Sequence, residues 1–136
     1  MDNQDIRWQQ RFDNFSKACV LLGEIKDYEM DSTISIIREG FIQRFEIAFE
    51  LTWKTLRDYL EYLGHDVQPS PRLVIKEAFA VNILSDGQVF IDMLEARNLM
   101  AHRYDEETFN TIFLQIKGQF EPALQTLCAS LRKKII

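Results

Sequence analysis

Apolar residues recur at three- and four-residue steps along most of the chain, which is the spacing of amphipathic helices. The first seam predicts a helix over Ile6 to Tyr28, and its members are Trp8, Phe12, Phe15, Cys19 and Leu22. The last seam predicts a helix that starts at Asp105 and is kinked at Pro122, because proline cannot donate a backbone hydrogen bond. Its members are Phe109, Phe113, Ile116, Phe120, Leu124, Leu127 and Leu131. No segment alternates apolar and polar residues as a strand does, so the pattern predicts an all-α fold.

A second helical run, which Ser32 and Thr33 can cap, contains a segment that is apolar on two sides. Its broad stripe consists of Phe41, Phe45, Ala48, Phe49, Thr52, Leu56, Tyr59, Leu60 and Leu63, and a narrower strip on nearly the opposite side consists of Ile47 and Leu51. A helix that is apolar on two sides is expected to be buried on both. We therefore expect this helix to be central in the bundle or shared with a partner subunit.

Turn and cap residues divide the remaining chain. Gly64 is expected to end the second helix in a left-handed conformation, and Ser70-Pro71 is expected to start a short helix that ends at Val81. The capping-box pattern Ser85-Asp-Gly-Gln88 opens a helix from Gly87 to about His102, and Asp105 can cap the last helix. Together these signals predict an antiparallel four-helix up-and-down bundle with a short extra helix, formed by residues 1–136 as a single domain.

Composition narrows the class of protein. The chain has 136 residues, of which 46% are apolar and 27% are charged, as in ordinary globular proteins. No apolar run approaches the ~20 residues that a membrane helix needs, and the N-terminus does not resemble a signal peptide, so we expect a cytoplasmic protein. Cys19 and Cys128 lie in apolar helical patterns without a CxxC spacing, and we interpret both as reduced core residues.

The formal net charge of −5 argues against an extended nucleic-acid-binding surface, which is usually basic. The basic run Arg132-Lys133-Lys134 lies at a helix C-terminus, where cations complement the helix dipole. The sequence has no glycine-rich phosphate loop and no set of metal ligands with a known spacing, so no metal and no cofactor is predicted. Any contact with RNA would have to be local.

The stretch from Glu95 to Asp105 carries the residues best suited to chemistry, at the end of an apolar helix. Arg97 and Tyr104 fall within the apolar stripe that Phe90, Met93, Leu94, Met100 and Ala101 form on an ideal helix. Because burial of an unpaired cation is strongly unfavourable, Arg97 must meet a carboxylate, a water-filled cleft or an anionic ligand. Asn98 and His102 are one turn apart on another face, so the amide can hydrogen-bond the imidazole and fix its tautomer.

Arg97 and His102 point in directions that differ by roughly 140° on a straight helix, so one helix cannot aim both at one atom. They can converge only if the helix unwinds near His102 or if a second copy of the chain contributes its own motif. In a purely structural alternative, Arg97 makes an ion pair and His102 is favoured at a helix C-terminus by the dipole. The residues alone leave these alternatives open.

Other charged residues are interpreted as solvent-exposed. His65 lies in the turn Gly64-His65-Asp66 and is expected to be a solvated loop residue rather than a ligand. The residues Glu46, Glu50, Lys54, Arg57 and Asp58 have spacings near i,i+4, and we interpret them as a salt-bridged, solvated helix face rather than as acid–base catalysts.

The motif Arg97-Asn-Leu-Met-Ala-His102-Arg-Tyr104 resembles the R-x4-H-x-Y signature of the HEPN superfamily. The stretches Gly40 to Lys54 and Ser70 to Phe79 resemble the branch of nucleotidyltransferase substrate-binding proteins, and the resemblance covers nearly the whole chain. It implies a bundle that forms a homodimer and is encoded beside a minimal nucleotidyltransferase (MNT).

In the toxin branches of this superfamily, the resemblance implies a metal-independent endoribonuclease whose cleft is lined by both subunits. Arg97 would then stabilise the scissile phosphate, His102 would act as general base or acid, and Asn98 would orient His102. Tyr104 would receive AMP from the MNT partner, which silences the toxin. Such cleavage needs a proton acceptor, a proton donor and a cation, but no metal.

The resemblance equally allows a non-catalytic role, in which the protein binds substrate for the nucleotidyltransferase. The acidic net charge favours this binding subunit, whereas the intact Arg97, His102 and Tyr104 favour the ribonuclease, which is the function that the sequence predicts first. A helical dimerisation module without a ligand would leave Arg97 in the apolar stripe unexplained.

Overall fold

The computed structural model describes residues 3–28, 35–103 and 105–135, and these ranges contain helices and turns but no strand. The helices are α1 (Asn3–Gly23), α2 (Ser35–Tyr62), α3 (Pro71–Ala80), α4 (Gly87–Met100), α5 (Glu106–Gln115) and α6 (Glu121–Arg132). A 3-10 turn, Glu24–Asp27, follows α1, and a π-helical turn, Ile116–Phe120, joins α5 to α6. The predicted caps Ser32 and Thr33 lie outside the described residues.

Polar contacts fix the direction of the first two helices. Arg7 Nη2 on α1 lies 3.1 Å from Glu61 Oε2 on α2, and Arg11 Nε lies 2.6 Å from Asp58 Oδ2. The residue numbers rise on one helix as they fall on the other, so α1 and α2 are antiparallel.

The remaining long helices continue the alternation. Helix α4 runs antiparallel to α2, because Arg97 contacts Glu50 while Ala101 shares a cleft with Ile42 nearer the start of α2. Helix α5 and the π-helical turn that leads into α6 run parallel to α2, as shown by the ring contacts of Phe41 with Phe113 and of Phe45 with Phe120. The predicted up-and-down bundle is therefore confirmed, with α3 as the short extra helix.

The bundle core contains the predicted seams. All five members of the α1 seam are buried, as is the broad stripe of α2 except Leu63, which is about half exposed. Phe45 of α2 stacks on Phe120 of the π-helical turn with ring centroids 5.2 Å apart. The second apolar strip of α2 behaves differently, because Leu51 is half-buried while Ile47 is 49% exposed. One side of α2 therefore remains open in the single chain.

Gly64 and Ser70 act at helix ends as predicted, whereas α1 ends at Gly23 rather than at Tyr28 and is followed by a 3-10 turn. Gly64 has a φ of 95°, and the Ser70 hydroxyl accepts a hydrogen bond from Leu73 N at 3.4 Å. The start of α4 is capped by Asp86 rather than Ser85, because the Asp86 carboxylate accepts hydrogen bonds from the backbone N–H groups of Gln88 and Val89. The predicted kink in the last helix is a π-helical turn that ends two residues before Pro122.

The structure corrects the interpretation of Asp58 as a solvated residue. Asp58 is buried and paired with Arg11, because α1 covers that side of α2. Cys19 and Cys128 are free and buried, and burial raises the pKa of the Cys19 thiol.

No helix within the described ranges is long and apolar enough to cross a membrane.

Candidate functional site

Arg97 projects from α4 toward α2, where it hydrogen-bonds the Glu50 carboxylate through Nη2. Its side chain is about one-third exposed, so the cation is neither fully buried nor free in solvent. Glu46 lies one helical turn before Glu50, and burial raises the pKa of its carboxyl while the nearby Arg97 guanidinium acts in the opposite direction. Arg97 is thus held close to two carboxylates of α2.

The Glu50 carboxylate was expected on a solvated face with Lys54, and it does lie 3.6 Å from Lys54 Nζ. It also accepts a hydrogen bond from Trp53 Nε1 at 3.2 Å in addition to the bond from Arg97. The expected pair with Lys54 is therefore present, but Glu50 is only about one-third exposed and also pairs with Arg97. Its main partner lies on another helix, which the spacing of charges along α2 could not reveal.

A cleft with a cavity volume of about 690 Å³ opens beside this ion pair, between α2 on one side and α4 with the start of α5 on the other. Its polar lining consists of Glu39, Gln43, Glu46, Arg97 and Asn98. Its apolar lining consists of Ile42, Met100, Ala101 and Phe109. Arg97 therefore has a carboxylate partner and also lines a cleft, which are two of the three surroundings predicted for it.

Asn98 lies beside Arg97 in the cleft, and its Oδ1 accepts a hydrogen bond from Arg97 Nη1 at 3.4 Å. The predicted hydrogen bond from Asn98 to the His102 imidazole is not formed. Helix α4 ends at Met100, and His102 follows in a turn in which its backbone N–H donates to the Leu99 carbonyl. Because the helix ends before His102, the two side chains no longer have the spacing of one helical turn.

His102 is exposed, and its imidazole has no hydrogen-bond partner within the described ranges. It is also not among the described residues that line the cleft with Arg97. A single chain therefore brings Arg97 and Asn98 together but does not bring His102 to them, although α4 unwinds where convergence would require it. Tyr104 lies outside the described residues.

Asp105 is the N-cap residue of α5 and directly follows the motif. Its carboxylate accepts a hydrogen bond from Thr108 N at 2.8 Å and a second from the Thr108 hydroxyl at 2.9 Å. These two bonds, the backbone one first, lower the pKa of the Asp105 carboxyl. The predicted cap is confirmed, and it anchors the residue that follows the motif.

Sequence reasoning missed a second arginine near the motif. Arg38 on α2 is buried, its Nη2 lies 3.5 Å from the exposed Glu106 carboxylate, and its Nε has no partner in the described part of the chain. The signal was present, because Arg38 precedes Phe41 and Phe45 at three- and four-residue steps and so falls in the apolar stripe of α2. The acidic wall of the cleft, Glu39 and Glu46, was also not predicted as part of a site.

A metal ion has no set of ligands in the described part of the site. Within the described ranges, no group of three or more His, Cys, Asp or Glu side chains is arranged to hold one. What the cleft offers is one cation, two carboxylates and two carboxamides. This set can bind a ligand that has both an anionic group and hydrogen-bonding groups.

The chain is similar to proteins of a described family and to a solved structure. The family model described as nucleotidyltransferase substrate binding protein like matches residues 10–133. The crystal structure of a protein from Thermus thermophilus is 31% identical, with a TM-score of 0.72 over 89% of this chain and 98% of that one. No curated protein matches the chain. The family match includes α2 and α4 and therefore both walls of the cleft.

Proposed function

Because this chain belongs to the family of nucleotidyltransferase substrate-binding-protein-like proteins, we propose that it binds the substrate of a separate nucleotidyltransferase in the cleft between α2 and α4. The observation that carries this proposal is the lining of the cleft, where Arg97 and Asn98 share one cavity with Glu39 and Glu46. The chain supplies the binding surface, and the partner enzyme supplies the transfer chemistry.

A nucleotide-like ligand suits this lining. Arg97 can bind a phosphate group, because a guanidinium forms two parallel hydrogen bonds to phosphate oxygens. The carboxylates of Glu39 and Glu46 can accept hydrogen bonds from ribose hydroxyls, as acidic residues do in dinucleotide sites. The carboxamides of Gln43 and Asn98 can both donate and accept, as a base edge requires. A cavity of about 690 Å³ is in the size range of small-molecule sites.

The Arg97–Glu50 ion pair sets a condition on binding. Phosphate competes with Glu50 for Arg97, because the Glu50 carboxylate accepts a hydrogen bond from Arg97 Nη2. The site therefore binds phosphate at a cost, and the other contacts in the cleft must contribute affinity. This condition favours a ligand that carries several recognised groups over a bare phosphate ion.

Calorimetric titration with AMP and with ATP tests the proposal. Arg97→Ala should weaken binding at least ~10-fold, because a hydrogen bond to a charged group contributes about 1.5–3 kcal/mol. Arg7→Ala, which removes the same charge from an exposed position on α1, is the matched control and should keep the wild-type affinity. Equal affinities for wild type and Arg97→Ala, or no binding to the wild type at millimolar nucleotide, would overturn the proposal.

The second candidate function is the metal-independent endoribonuclease. It is favoured by the end of α4, which leaves His102 exposed and Arg97 partly accessible, so that a second copy could complete a site. In that reaction the 2′-hydroxyl attacks phosphorus while one imidazole takes its proton, and a protonated imidazole gives a proton to the leaving 5′-oxygen. Arg97 would stabilise the charge on the phosphorane, and Asn98 would orient its own His102 only after a rearrangement.

Incubation of the purified protein with RNA in the presence of EDTA distinguishes the two functions. A ribonuclease would cleave RNA under these conditions, and His102→Ala would reduce the rate at least ~100-fold. With the partner nucleotidyltransferase and ATP, the ribonuclease alternative expects AMP on Tyr104, absent in Tyr104→Phe. Intact RNA together with Arg97-dependent nucleotide binding would leave substrate binding as the function.

A further inference from the structure

The short helix α3 has a solvent-facing side, here called the α3 face, that combines cations with apolar side chains. On a helical projection its members fall within about 120° of one another, and they are Arg72, Leu73, Lys76, Phe79 and Ala80, all exposed. The opposite side of α3 packs on the bundle through the buried Val74, Ile75 and Ala78. Leu73 is 46% exposed and Phe79 is 51% exposed, which places two large apolar side chains beside two cations.

The cations of the α3 face differ from those of the long helices before it. Each of the seven arginines and lysines of α1 and α2 forms an ion pair, and these residues are Arg7, Arg11, Lys17, Arg38, Arg44, Lys54 and Arg57. Within the described ranges, neither Arg72 nor Lys76 forms one. Two unpaired cations one turn apart are thus left on the surface of a chain whose net charge is −5. They are available to pair with carboxylates of another molecule.

The Phe79 ring packs closely against Gly87 at the start of α4. A Cβ atom added at Gly87 would lie 3.0 Å from the Phe79 ring, so the ring packs directly over the backbone there. Beside it a groove of about 410 Å³ runs between α3 and α4, with Phe79, Ile91, Lys76 and the α4 cap residue Asp86 in its lining. The α3 face therefore has a concave apolar site with a cation at its edge, which is the arrangement of an interface anchor.

We propose that the α3 face docks an acidic surface of the partner nucleotidyltransferase, with an apolar partner side chain in the groove and partner carboxylates on Arg72 and Lys76. This inference rests on the proposed function for the identity of the partner. A contact in which the α3 faces of two copies meet across a two-fold axis is disfavoured, because it would bring the Arg72 and Lys76 cations of both copies together. A protein partner is favoured over RNA, because Leu73 adds an aliphatic surface and one side of the Phe79 ring is covered by Gly87.

The proposal is tested with the cognate nucleotidyltransferase, which is purified separately and whose binding to the full chain is measured by interferometry. Arg72→Glu with Lys76→Glu should weaken the complex at least ~10-fold, and raised salt should weaken the wild-type complex. The matched control is Lys133→Glu with Lys134→Glu, which changes the net charge equally at exposed positions and should leave affinity within about twofold. Phe79→Ala should weaken binding at least ~10-fold, as loss of an aromatic anchor does, whereas Val20→Ala, at a 71% exposed position on α1, should not.

AMP affinity, measured on the same variants, separates this inference from the proposed function. The α3 variants should keep the AMP affinity of the wild type, and circular dichroism should show the wild-type helix content. If the nucleotidyltransferase binds the α3 variants as tightly as the wild type, or binds no form of the chain, the inference is overturned whatever the AMP result. If the α3 variants lose affinity for a 12-nucleotide oligouridine but not for the enzyme, the face binds RNA and the inference is likewise wrong.

Discussion

Arg97 is held by Glu50 with Glu46 nearby, and these two carboxylates decide how an anion can reach the guanidinium. The pair links α4 to α2, so it stabilises the wall of the cleft, and it would compete for the guanidinium with an anion bound there. For a partly exposed pair the contribution to stability is small, about 0–1 kcal/mol. Its effect on ligand affinity is therefore easier to measure than its effect on folding.

We predict that Glu50→Gln tightens the binding of AMP by about three- to tenfold, because it removes the negative charge that competes for Arg97. The free energy of unfolding should fall by no more than ~1 kcal/mol. Calorimetric titration and chemical denaturation measure the two effects. Glu95→Gln is the control, since Glu95 is exposed on α4 and forms no ion pair in the described ranges. Weaker AMP binding in Glu50→Gln would mean that Glu50 orients Arg97 rather than competing for it.

A second residue-scale prediction concerns pH. Burial raises the pKa of the Glu46 carboxyl above its unfolded value, despite the opposing effect of Arg97. The folded chain then binds this proton more tightly than the unfolded chain, so ionisation of Glu46 destabilises the fold as pH rises through the folded pKa. Glu46→Gln should therefore raise the melting temperature at pH 7, by on the order of 1 °C for a carboxyl that is largely in solvent. The gain should vanish near pH 4, and a lower melting temperature at pH 7 would show that attraction to Arg97 dominates.

The sequence could identify Arg97 as a cation that needs a partner, but it could not identify that partner. A cation inside an apolar stripe is visible from spacing alone, whereas its pairing with Glu50 depends on the register between two helices separated by α3. The same limit explains Asp58, whose burial depends on α1. Arg38 is a different case, because the sequence alone places it in the apolar stripe of α2. Its burial could therefore have been predicted from the same spacing argument as for Arg97.

At the scale of elements, the helices could be predicted because several of their boundaries have a local cause. Gly64, Ser70 and Asp105 act through their own backbone or side chain, and all three end or begin helices as expected. The π-helical turn before Pro122 was predicted only as a kink. A proline excludes the regular hydrogen bond, but the way in which the preceding turn adapts depends on the packing of Phe120 in the core.

The packing of α3 on α4 predicts that one substitution, Gly87→Ala, is destabilising in the wild type but stabilising when Phe79 is removed. Gly87→Ala should destabilise the chain by about 1 kcal/mol, because the new methyl group forces the Phe79 ring to move and this outweighs the gain in helix propensity. In a Phe79→Ala background the clash is absent, so the same substitution should be stabilising by up to ~1 kcal/mol. Urea denaturation of the four proteins measures this double-mutant cycle. An equal effect of Gly87→Ala in both backgrounds would contradict the close approach of Phe79.

At the scale of the whole molecule, the family could be predicted from three motifs in order, and the match over residues 10–133 confirms it. The position of His102 relative to Arg97 could not be predicted, because it depends on where α4 ends and on whether a second copy of the chain contributes to the site. In the described structure the helix ends two residues before His102 and leaves it outside the cleft. The completeness of the motif in sequence therefore does not by itself assemble a catalytic site in space.

The open side of α2 bears on the proposed homodimer. Ile47 on α2 is 49% exposed and Leu99 on α4 is 43% exposed, so each of these helices leaves a large apolar side chain in solvent in a single chain. Burial of such side chains against a second copy would contribute about 25 cal/mol per Å² of apolar area. A two-fold axis near α4 would also bring His102 of one copy toward the motif of the other.

We predict that the chain sediments as a dimer at micromolar concentration and that Ile47→Glu converts it to a monomer, because a carboxylate would be buried without a partner at the interface. Ile36→Glu, at a 74% exposed position near the start of the same helix, is the control and should remain a dimer. If the ribonuclease is composite, Ile47→Glu should lose RNA cleavage, and a mixture of Arg97→Ala and His102→Ala subunits should regain part of it. A wild-type monomer that binds AMP through Arg97 would contradict the composite site and leave substrate binding as a property of the single chain.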